Sequence, residues 1–274
     1  MIEARILGCG SSGGVPRLGG DDGAGNWGTC DPSNPRNRRS RCSLLLRQKG
    51  EEGETLLLVD TSPDMRQQLL DARVTKLDGV LITHAHADQL HGMDDLRVLT
   101  MISHRRIDVW SDRNTMSQVV RKFDYCFVQP SGSDYPAILN AKEIPEPFSE
   151  FSITGKGGSI PIRAFGLKHG IIRALGFRFG ALAYTPDVDS LDEAAYVALE
   201  GLDVWIVDAL RLSPHPSHAH LARTLEWISR VKPKRAILTN MHVDMDYGRL
   251  LRDLPPGTEP AHDGMTIQLN SLGS

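Results

Sequence analysis

The sequence predicts a layered α/β protein, and two observations favour that class. Short apolar runs typical of β-strands recur along the chain, and the first of them follow one another as the strands of hairpins do. Later strands alternate with segments of helical period, the order expected when helices cover a sheet. A chain of 274 residues is long enough to bury a substantial core without disulfide bonds. We expect one domain spanning residues 1–274.

The predicted strands are Ala4–Leu7, Ser43–Leu46, Leu56–Val59, Val80–Ile82, Ile107–Trp110, Ile160–Leu167, Leu175–Phe179, Ala181–Tyr184, Val204–Val207, Ala236–Leu238 and Thr266–Leu269. The predicted helices are one that opens at Pro63, followed by Met93–Met101, Thr115–Phe123, Leu191–Leu199 and Ser217–Val231. Two segments rich in glycine, proline and polar residues, Gly19–Arg41 and Gln129–Ser149, are predicted to be irregular.

Bulk composition argues against several classes of protein. The net charge is −3, so the chain lacks the basic field typical of nucleic-acid binders, and we expect no nucleic-acid partner. The four cysteines form no C-x-x-C pair, which indicates reduced thiols. The first residues are too few and too charged for a signal peptide, and no apolar run reaches membrane-spanning length. We therefore expect a cytoplasmic protein without a membrane partner; the sequence leaves a homodimer open.

The run Thr83–Gly92 is the most informative stretch of the chain. It holds three histidines and an aspartate directly after the apolar run Gly79–Ile82. Imidazole nitrogen and carboxylate oxygen are ligands that suit zinc and similar divalent metals. A loop at the end of a strand can direct alternate side chains at one point, so we expect His84 and His86 to hold one metal. Asp88 would then point to a second position beside it.

Three later strand ends offer further ligands. His169 follows the strand Ile160–Leu167 and is the natural third ligand of the first metal, although an ordinary strand-end histidine is the alternative. Asp187 can bridge two metals, or can instead cap the helix that follows it. His242 lies just beyond a third strand and is a candidate for the second metal. Their positions at strand ends favour the metal site.

The glycine-rich turn near the start is not expected to bind a dinucleotide. Gly8–Gly13 matches G-x-G-x-x-G after a strand, but that fingerprint must also open a helix. The residues Gly14–Gly20 that follow cannot start a stable helix. We interpret the turn as a tight strand exit near other structure or the site rim.

The run from Thr83 resembles the signature H-x-H-x-D-H loop of the metallo-β-lactamase superfamily. The resemblance implies His84, His86 and His169 as ligands of the first metal, with Asp88, Asp187 and His242 near the second. Gln89 stands where the superfamily has a histidine on the second metal, and its amide oxygen is a candidate ligand there, weaker than imidazole. Asn240 stands where the last motif of the superfamily has a histidine. The implied cofactor is a divalent metal, Zn²⁺ or Mn²⁺, with one or two ions per chain.

Substrate-side residues follow from the same resemblance and from charge. Phosphodiesterases of the superfamily place a histidine at a helix start to protonate the leaving alkoxide, and His218 matches it, with Ser217 as the predicted N-cap. The arginines from Arg36 onward crowd ahead of Ser43, and guanidinium pairs with phosphate in a bidentate fork. We therefore predict a phosphate clamp, against the alternative of a solvated loop, formed by Arg38, Arg39, Arg41 and Ser43.

The whole chain is similar to the phosphodiesterase branch of the superfamily, and within it to the phosphoribosyl 1,2-cyclic phosphate phosphodiesterases of the carbon–phosphorus lyase pathway. The resemblance implies an αβ/βα four-layer sandwich with two mixed sheets and helices on the outer faces. It implies attack of a metal-activated hydroxide, oriented by Asp88, on the phosphorus of a small cyclic phosphate or nucleotide-like substrate. Those relatives carry a structural zinc on a cysteine cluster; only Cys30 matches it here, so we expect none.

Three alternatives stay open at this stage. A nuclease of the tRNA 3′-processing type would need a basic arm, and the candidate insertion Gln129–Ser149 is acidic. A thioester, lactone or lactam hydrolase is weakly disfavoured by the arginines. A nucleotide-binding protein with an impaired second metal site would show such losses as Gln89 and Asn240.

Overall fold

The computed structural model describes residues 2–146 and 148–269, and within them two seven-stranded mixed sheets enclose the core. The first sheet has the order β14-β1-β2-β3-β4-β5-β6, with β1 Ile2–Gly8, β2 Ser43–Gly50, β3 Gly53–Val59, β4 Gly79–Leu81, β5 Ile107–Ser111, β6 Leu139–Glu143 and β14 Thr266–Leu269. The second has the order β13-β12-β11-β10-β9-β8-β7, with β7 Phe151–Gly155, β8 Gly158–His169, β9 Ile172–Phe179, β10 Leu182–Thr185, β11 Val204–Asp208, β12 Arg235–Thr239 and β13 Thr258–Pro260.

The helices are α1 Met65–Asp71, α2 Ala87–Leu90, α3 Leu96–Ser103, α4 Arg113–Lys122, α5 Asp124–Phe127, α6 Glu193–Ala198, α7 Leu221–Val231 and α8 Tyr247–Asp253. Strand alternation explains the layers, because successive side chains of a strand point to opposite faces. In β2, Leu44 and Leu46 join the core shared by both sheets, whereas Leu45 belongs to a second cluster that includes apolar residues of α1 and α4. The αβ/βα sandwich implied by the sequence is confirmed.

All the predicted strands are present, with bounds that differ by a few residues, but three strands are missed. The segment Gln129–Ser149, predicted to be irregular, contains β6, which pairs in parallel with β5 at the sheet edge. Only Leu139 of this strand is buried, and the four residues after it are half-buried or exposed, so the strand carries no apolar run. Pro147, which belongs to that segment, lies outside the described residues.

Parallel strands bring the candidate residues to one edge of the sandwich. β3 and β4 run parallel in the first sheet, and β10, β11 and β12 run parallel in the second, so their carboxyl ends meet. Asp60 and Asn240, directly after β3 and β12, have φ of 64° and 60°. Aspartate and asparagine tolerate this left-handed conformation better than most residues. Within the described part of the chain, none of the helices has the length and apolar composition needed to cross a bilayer.

Candidate metal centre

Three imidazole rings converge at the edge where β4 and β8 end. His84 Nε2 lies 3.0 Å from His86 Nδ1, which lies 3.3 Å from His169 Nε2. A tetrahedral zinc ion with Zn–N bonds of about 2.0–2.1 Å requires ligand nitrogens about 3.3 Å apart. Both the donor type and the spacing fit one divalent metal, so the structure brings together the predicted ligands of the first metal.

Neighbouring groups fix which nitrogen of each ring faces this point. His84 Nδ1 lies 3.0 Å from Thr83 Oγ1, whose hydroxyl is also 3.0 Å from both carboxylate oxygens of Asp60. His169 Nδ1 lies 2.7 Å from the carbonyl oxygen of Ser217. A carbonyl only accepts, so His169 Nδ1 carries the proton and Nε2 keeps its lone pair. Such outer contacts orient metal ligands and raise their basicity.

The electrostatics of the cluster favour neutral imidazole, the form that binds metals. Burial lowers the pKa of His84 well below its usual value, and the neighbouring histidines lower it further. Burial and the nearby His218 lower the pKa of His169 to about 4, despite the opposing hydrogen bond to Ser217. The pKa of His86 is also lowered, chiefly by burial. At neutral pH these rings therefore offer lone pairs rather than charge.

A cavity of about 420 Å³ opens beside the cluster. His86 and Asp88 lie on its wall, and Arg17 and Arg211 face it from two loops. The turn after β1 contributes Ser11, so the predicted tight strand exit does form part of the site rim. The cavity therefore combines metal-binding nitrogens, the carboxylates of Asp88 and Asp187, and two guanidinium groups suited to phosphate oxygens.

A histidine–aspartate pair completes the cavity. His218 packs against His169 with ring centroids 4.5 Å apart. Its Nδ1 lies 2.9 Å from Asp208 Oδ2 and 3.8 Å from Asp187 Oδ1, leaving Nε2 for the cavity. Burial lowers the pKa of His218, but Asp208 and Asp187 outweigh it and raise the pKa to about 9. His218 can therefore hold a proton beside the metal ligands.

The chain path at His218 corrects one prediction. Helix α7 begins at Leu221, not at Ser217, and its N-cap residue is His220. The backbone is extended before that point because the Leu210 amide donates to the Ala219 carbonyl, as one strand does to another. Ser217 is therefore not the N-cap; its carbonyl oxygen accepts from His169 instead.

The remaining predicted ligands are placed differently from one another. Asp187 forms a second cluster with His169 and His218. Gln89 is fully buried, and its amide donates to Asp187 Oδ2 at 3.0 Å. His242 lines the cavity, with Nδ1 3.2 Å from Asp244 Oδ1, but belongs to neither cluster of potential ligands among the described residues.

The arginines predicted as a phosphate clamp do not line this cavity. Arg39 is buried, and its guanidinium donates to the Met245 carbonyl at 2.7 Å, so it holds two loops together. Arg41 pairs with Asp64 at 2.9 Å. Arg38 stacks over the Trp27 ring.

All three arginines line a separate cavity, which Gly14 and Pro16 of the segment after β1 also line. Ser43 is fully buried, and its hydroxyl donates to the backbone carbonyls of Val59 and Asp60. The structure therefore does not bring these four residues to the cavity beside the three histidines. Arg17 and Arg211, which sequence reasoning missed, take the place beside the metal ligands. Each follows a turn or strand end, but no spacing signal singles them out.

Comparison with known proteins places this fold and site in a family. Residues 55–241 match the model of the beta-lactamase superfamily domain. A solved diphosphatase from the PhnP family is 29% identical and has a TM-score of 0.85, with 98% of each chain covered. Zn²⁺-bound PqqB from Methylobacterium extorquens is 18% identical, with a TM-score of 0.72 over 97% of this chain and all of that one.

Another relative is named for acyl transfer rather than for hydrolysis of a diphosphate. The octanoyltransferase of Porphyromonas gingivalis is 28% identical over 99% of this chain, which spans only 52% of that protein. The match to the superfamily model covers most of the chain and includes the run from Thr83 and the end of β12. The chain belongs to the beta-lactamase superfamily and has the metallo-β-lactamase fold, and it is similar to the PhnP-family diphosphatase over nearly its whole length.

Proposed function

We propose that the chain is a metal-dependent phosphodiesterase that hydrolyses a small cyclic phosphate or nucleotide-like substrate. One observation carries the proposal: His218, paired with Asp208, faces the same cavity as His86 and His169, two of the three candidate metal ligands. A lactamase or thioesterase needs the metal ligands but has less use for two guanidinium groups. Arg17 and Arg211 on the cavity wall suit a substrate whose reacting group is an anion.

The residues divide the chemistry between them. A divalent metal, Zn²⁺ or Mn²⁺, supplies Lewis acidity and lowers the pKa of water when it is bound at the three histidines. Asp88 accepts a proton from the attacking water, and the guanidinium groups of Arg17 and Arg211 bind the phosphoryl oxygens as negative charge develops. His218 donates a proton from Nε2 to the leaving oxygen as the P–O bond breaks. Asp208 orients the ring and stabilises its cationic form.

A diphosphate is the second candidate substrate, and a specific comparison favours it. The PhnP-family neighbour at 29% identity is described as a diphosphatase. Hydrolysis of a P–O–P bond uses the same attack on phosphorus, with a phosphate in place of an alkoxide as the leaving group. By contrast, the match to the octanoyltransferase covers only about half of that protein, and the donor set of the cavity favours hydrolysis over acyl transfer.

The leaving group provides the sharpest test. We expect His218→Ala to lower kcat by about 10²–10⁴-fold on cyclic phosphates, whose alkoxide must be protonated. On bis-p-nitrophenyl phosphate the loss should be much smaller, because nitrophenolate leaves without a proton. His220→Ala removes a neighbouring imidazole that makes no capping hydrogen bond and should leave both rates unchanged.

Three results would contradict the proposal. Equal losses on both substrates would show that His218 is not the acid. Absence of turnover on every phosphodiester and diphosphate, in wild-type protein loaded with Zn²⁺ or Mn²⁺, would contradict the reaction class. Hydrolysis of a lactone or thioester by such protein, without any phosphodiester turnover, would move the function to that ester class.

A further inference from the structure

We infer that this chain holds a single metal ion at His84, His86 and His169, and that the amide groups of Gln89 and Asn240 occupy the place where a second ion would be bound. The inference concerns metal stoichiometry and is independent of the substrate. Its basis is the hydrogen bonding of two buried amides, Gln89 in α2 and Asn240 directly after β12.

Gln89 lies between the two carboxylates that would flank a second ion. Its side chain is fully buried, and Nε2 donates to Asp187 Oδ2 at 3.0 Å and faces Asp88 Oδ2 at 3.4 Å. An NH₂ group has two protons and no lone pair to offer a metal. Turning the amide over would set its oxygen against two carboxylates, so the donating orientation is the favourable one. Gln89 thus links Asp88 and Asp187 as a cation would.

Asn240 closes the same position from the opposite side. Its Nδ2 donates to the Pro186 carbonyl oxygen at 2.9 Å and lies 3.4 Å from Asp187 Oδ1 and 3.3 Å from Asp208 Oδ1. The Pro186 carbonyl only accepts, so it fixes the amide with its nitrogen inward. The carboxylates therefore face N–H donors from both Gln89 and Asn240, and neither amide presents an oxygen to them.

The second cluster of potential ligands cannot add an ion to the first. It consists of His169, Asp187 and His218, and it shares His169 with the three-histidine cluster. Since His169 Nδ1 is bonded to the Ser217 carbonyl, only Nε2 can bind metal, and one nitrogen serves one ion. Among the described residues, no other group of three histidine, cysteine or acidic side chains meets the spacing that a metal requires.

With one ion, the charge that a second metal would supply must come from the protein. Arg17 and Arg211 face the cavity, and His218 adds a third group that can carry positive charge. These side chains can bind the phosphoryl oxygens while Asp88 and Asp187 stay hydrogen-bonded to the amides of Gln89 and Asn240. The loss of two metal-binding imidazoles is therefore compatible with catalysis in this chain.

Metal content measures the inference directly. Wild-type chain is loaded with excess Mn²⁺ or Zn²⁺, gel-filtered and analysed by mass spectrometry for metal per chain. We expect about one ion per chain and a spectrum of isolated Mn²⁺ by electron paramagnetic resonance. The double variant Gln89→His with Asn240→His should bind about two ions, and its Mn²⁺ signal should show magnetic coupling. Histidine tolerates the positive φ of residue 240 better than most side chains.

One control tests whether an imidazole added anywhere on the surface raises the metal count, and one further variant replaces the double variant if that protein does not fold. Gln67→His places an imidazole on the exposed face of α1 and should leave the count at one. If the double variant fails to fold, Gln89→Glu keeps the side-chain size, replaces the donor by a ligand and should raise the count above one. Two tightly held ions in wild-type chain would overturn the inference. A count of one in folded variants would also overturn it, because the amides would then not be what excludes the second ion.

Discussion

Thr83→Val should weaken metal binding without touching the metal position itself. The hydroxyl of Thr83 lies 3.0 Å from His84 Nδ1 and 3.0 Å from each carboxylate oxygen of Asp60, and all three residues are fully buried. Valine has nearly the same shape but neither donates nor accepts. His84 then loses the contact that turns Nε2 toward the metal ligands, and its buried N–H is left without a partner.

The magnitude follows from those contacts. Loss of an outer contact to a metal-binding histidine costs about 10–100-fold in affinity, which is about 1.4–2.8 kcal/mol. Leaving a buried donor unsatisfied lowers the free energy of unfolding by about 1–3 kcal/mol. Competition with a chromophoric chelator measures the affinity for Zn²⁺, and urea unfolding of metal-free protein measures the stability.

A matched control is available in helix α3. Thr100 is also buried, and its hydroxyl donates to the Ile138 carbonyl at 3.1 Å, far along the chain from the metal ligands. Thr100→Val should lower stability by about 1 kcal/mol and leave Zn²⁺ affinity unchanged. Equal Zn²⁺ affinities for wild type and Thr83→Val would refute the claim that Asp60 and Thr83 orient His84.

Two further predictions concern stability. Burial raises the pKa of Asp263 to about 6, against the opposing hydrogen bonds from Ser40 and Cys9. The folded state therefore binds the Asp263 proton more tightly than the unfolded state does. Protonated Asp263 contributes about 3 kcal/mol to the free energy of unfolding below pH 4, and this contribution is lost as the pH rises through 6. The stability difference between wild type and Asp263→Asn, from urea unfolding, should shrink by about that amount from pH 4 to pH 7; parallel curves would contradict it. Leu57→Ala removes a fully buried side chain from the core between the sheets and should lower the free energy of unfolding by about 2–5 kcal/mol in the same assay. Leu18 is fully exposed, so the control Leu18→Ala should change stability by less than about 0.5 kcal/mol.

The strand-end positions of the candidate metal ligands were predictable because they depend on local sequence. His84 and His86 follow the apolar run of β4 with one residue between them, and His169 ends the long strand β8. Because β4 and β8 lie in different sheets, the packing of the two sheets brings the three rings together. The sequence displays the strand ends directly, whereas the convergence of His169 with His84 and His86 follows from the fold.

The arginines were misplaced because their partners are distant in the sequence. Arg39 is held by the Met245 carbonyl, 206 residues away, and Arg41 by Asp64, 23 residues away. A cluster of guanidinium groups in the sequence therefore says little about whether each group faces solvent, a carboxylate or a cavity. The edge strand β6 was missed for a related reason, since only its pairing with β5 distinguishes it from a polar loop.

The pairing of His218 with Asp208 depends on three-dimensional packing in the same way. Ten residues separate the two, and the backbone contact between Leu210 and Ala219 brings the segment back onto β11. The sequence predicts His218 near a helix start, but its hydrogen-bond partner Asp208 is the last residue of β11, which the sequence pattern does not connect to it.

The central claim is that hydrolysis of phosphate esters takes place on a metal held by the three histidines. The most direct measurement is turnover of a panel of cyclic phosphates and diphosphates by wild type and His86→Ala, with bound metal determined on the same samples. We expect wild-type turnover that EDTA abolishes and Zn²⁺ or Mn²⁺ restores, and a His86→Ala protein that is folded, depleted of metal and inactive. Undiminished turnover in metal-depleted His86→Ala would contradict the account.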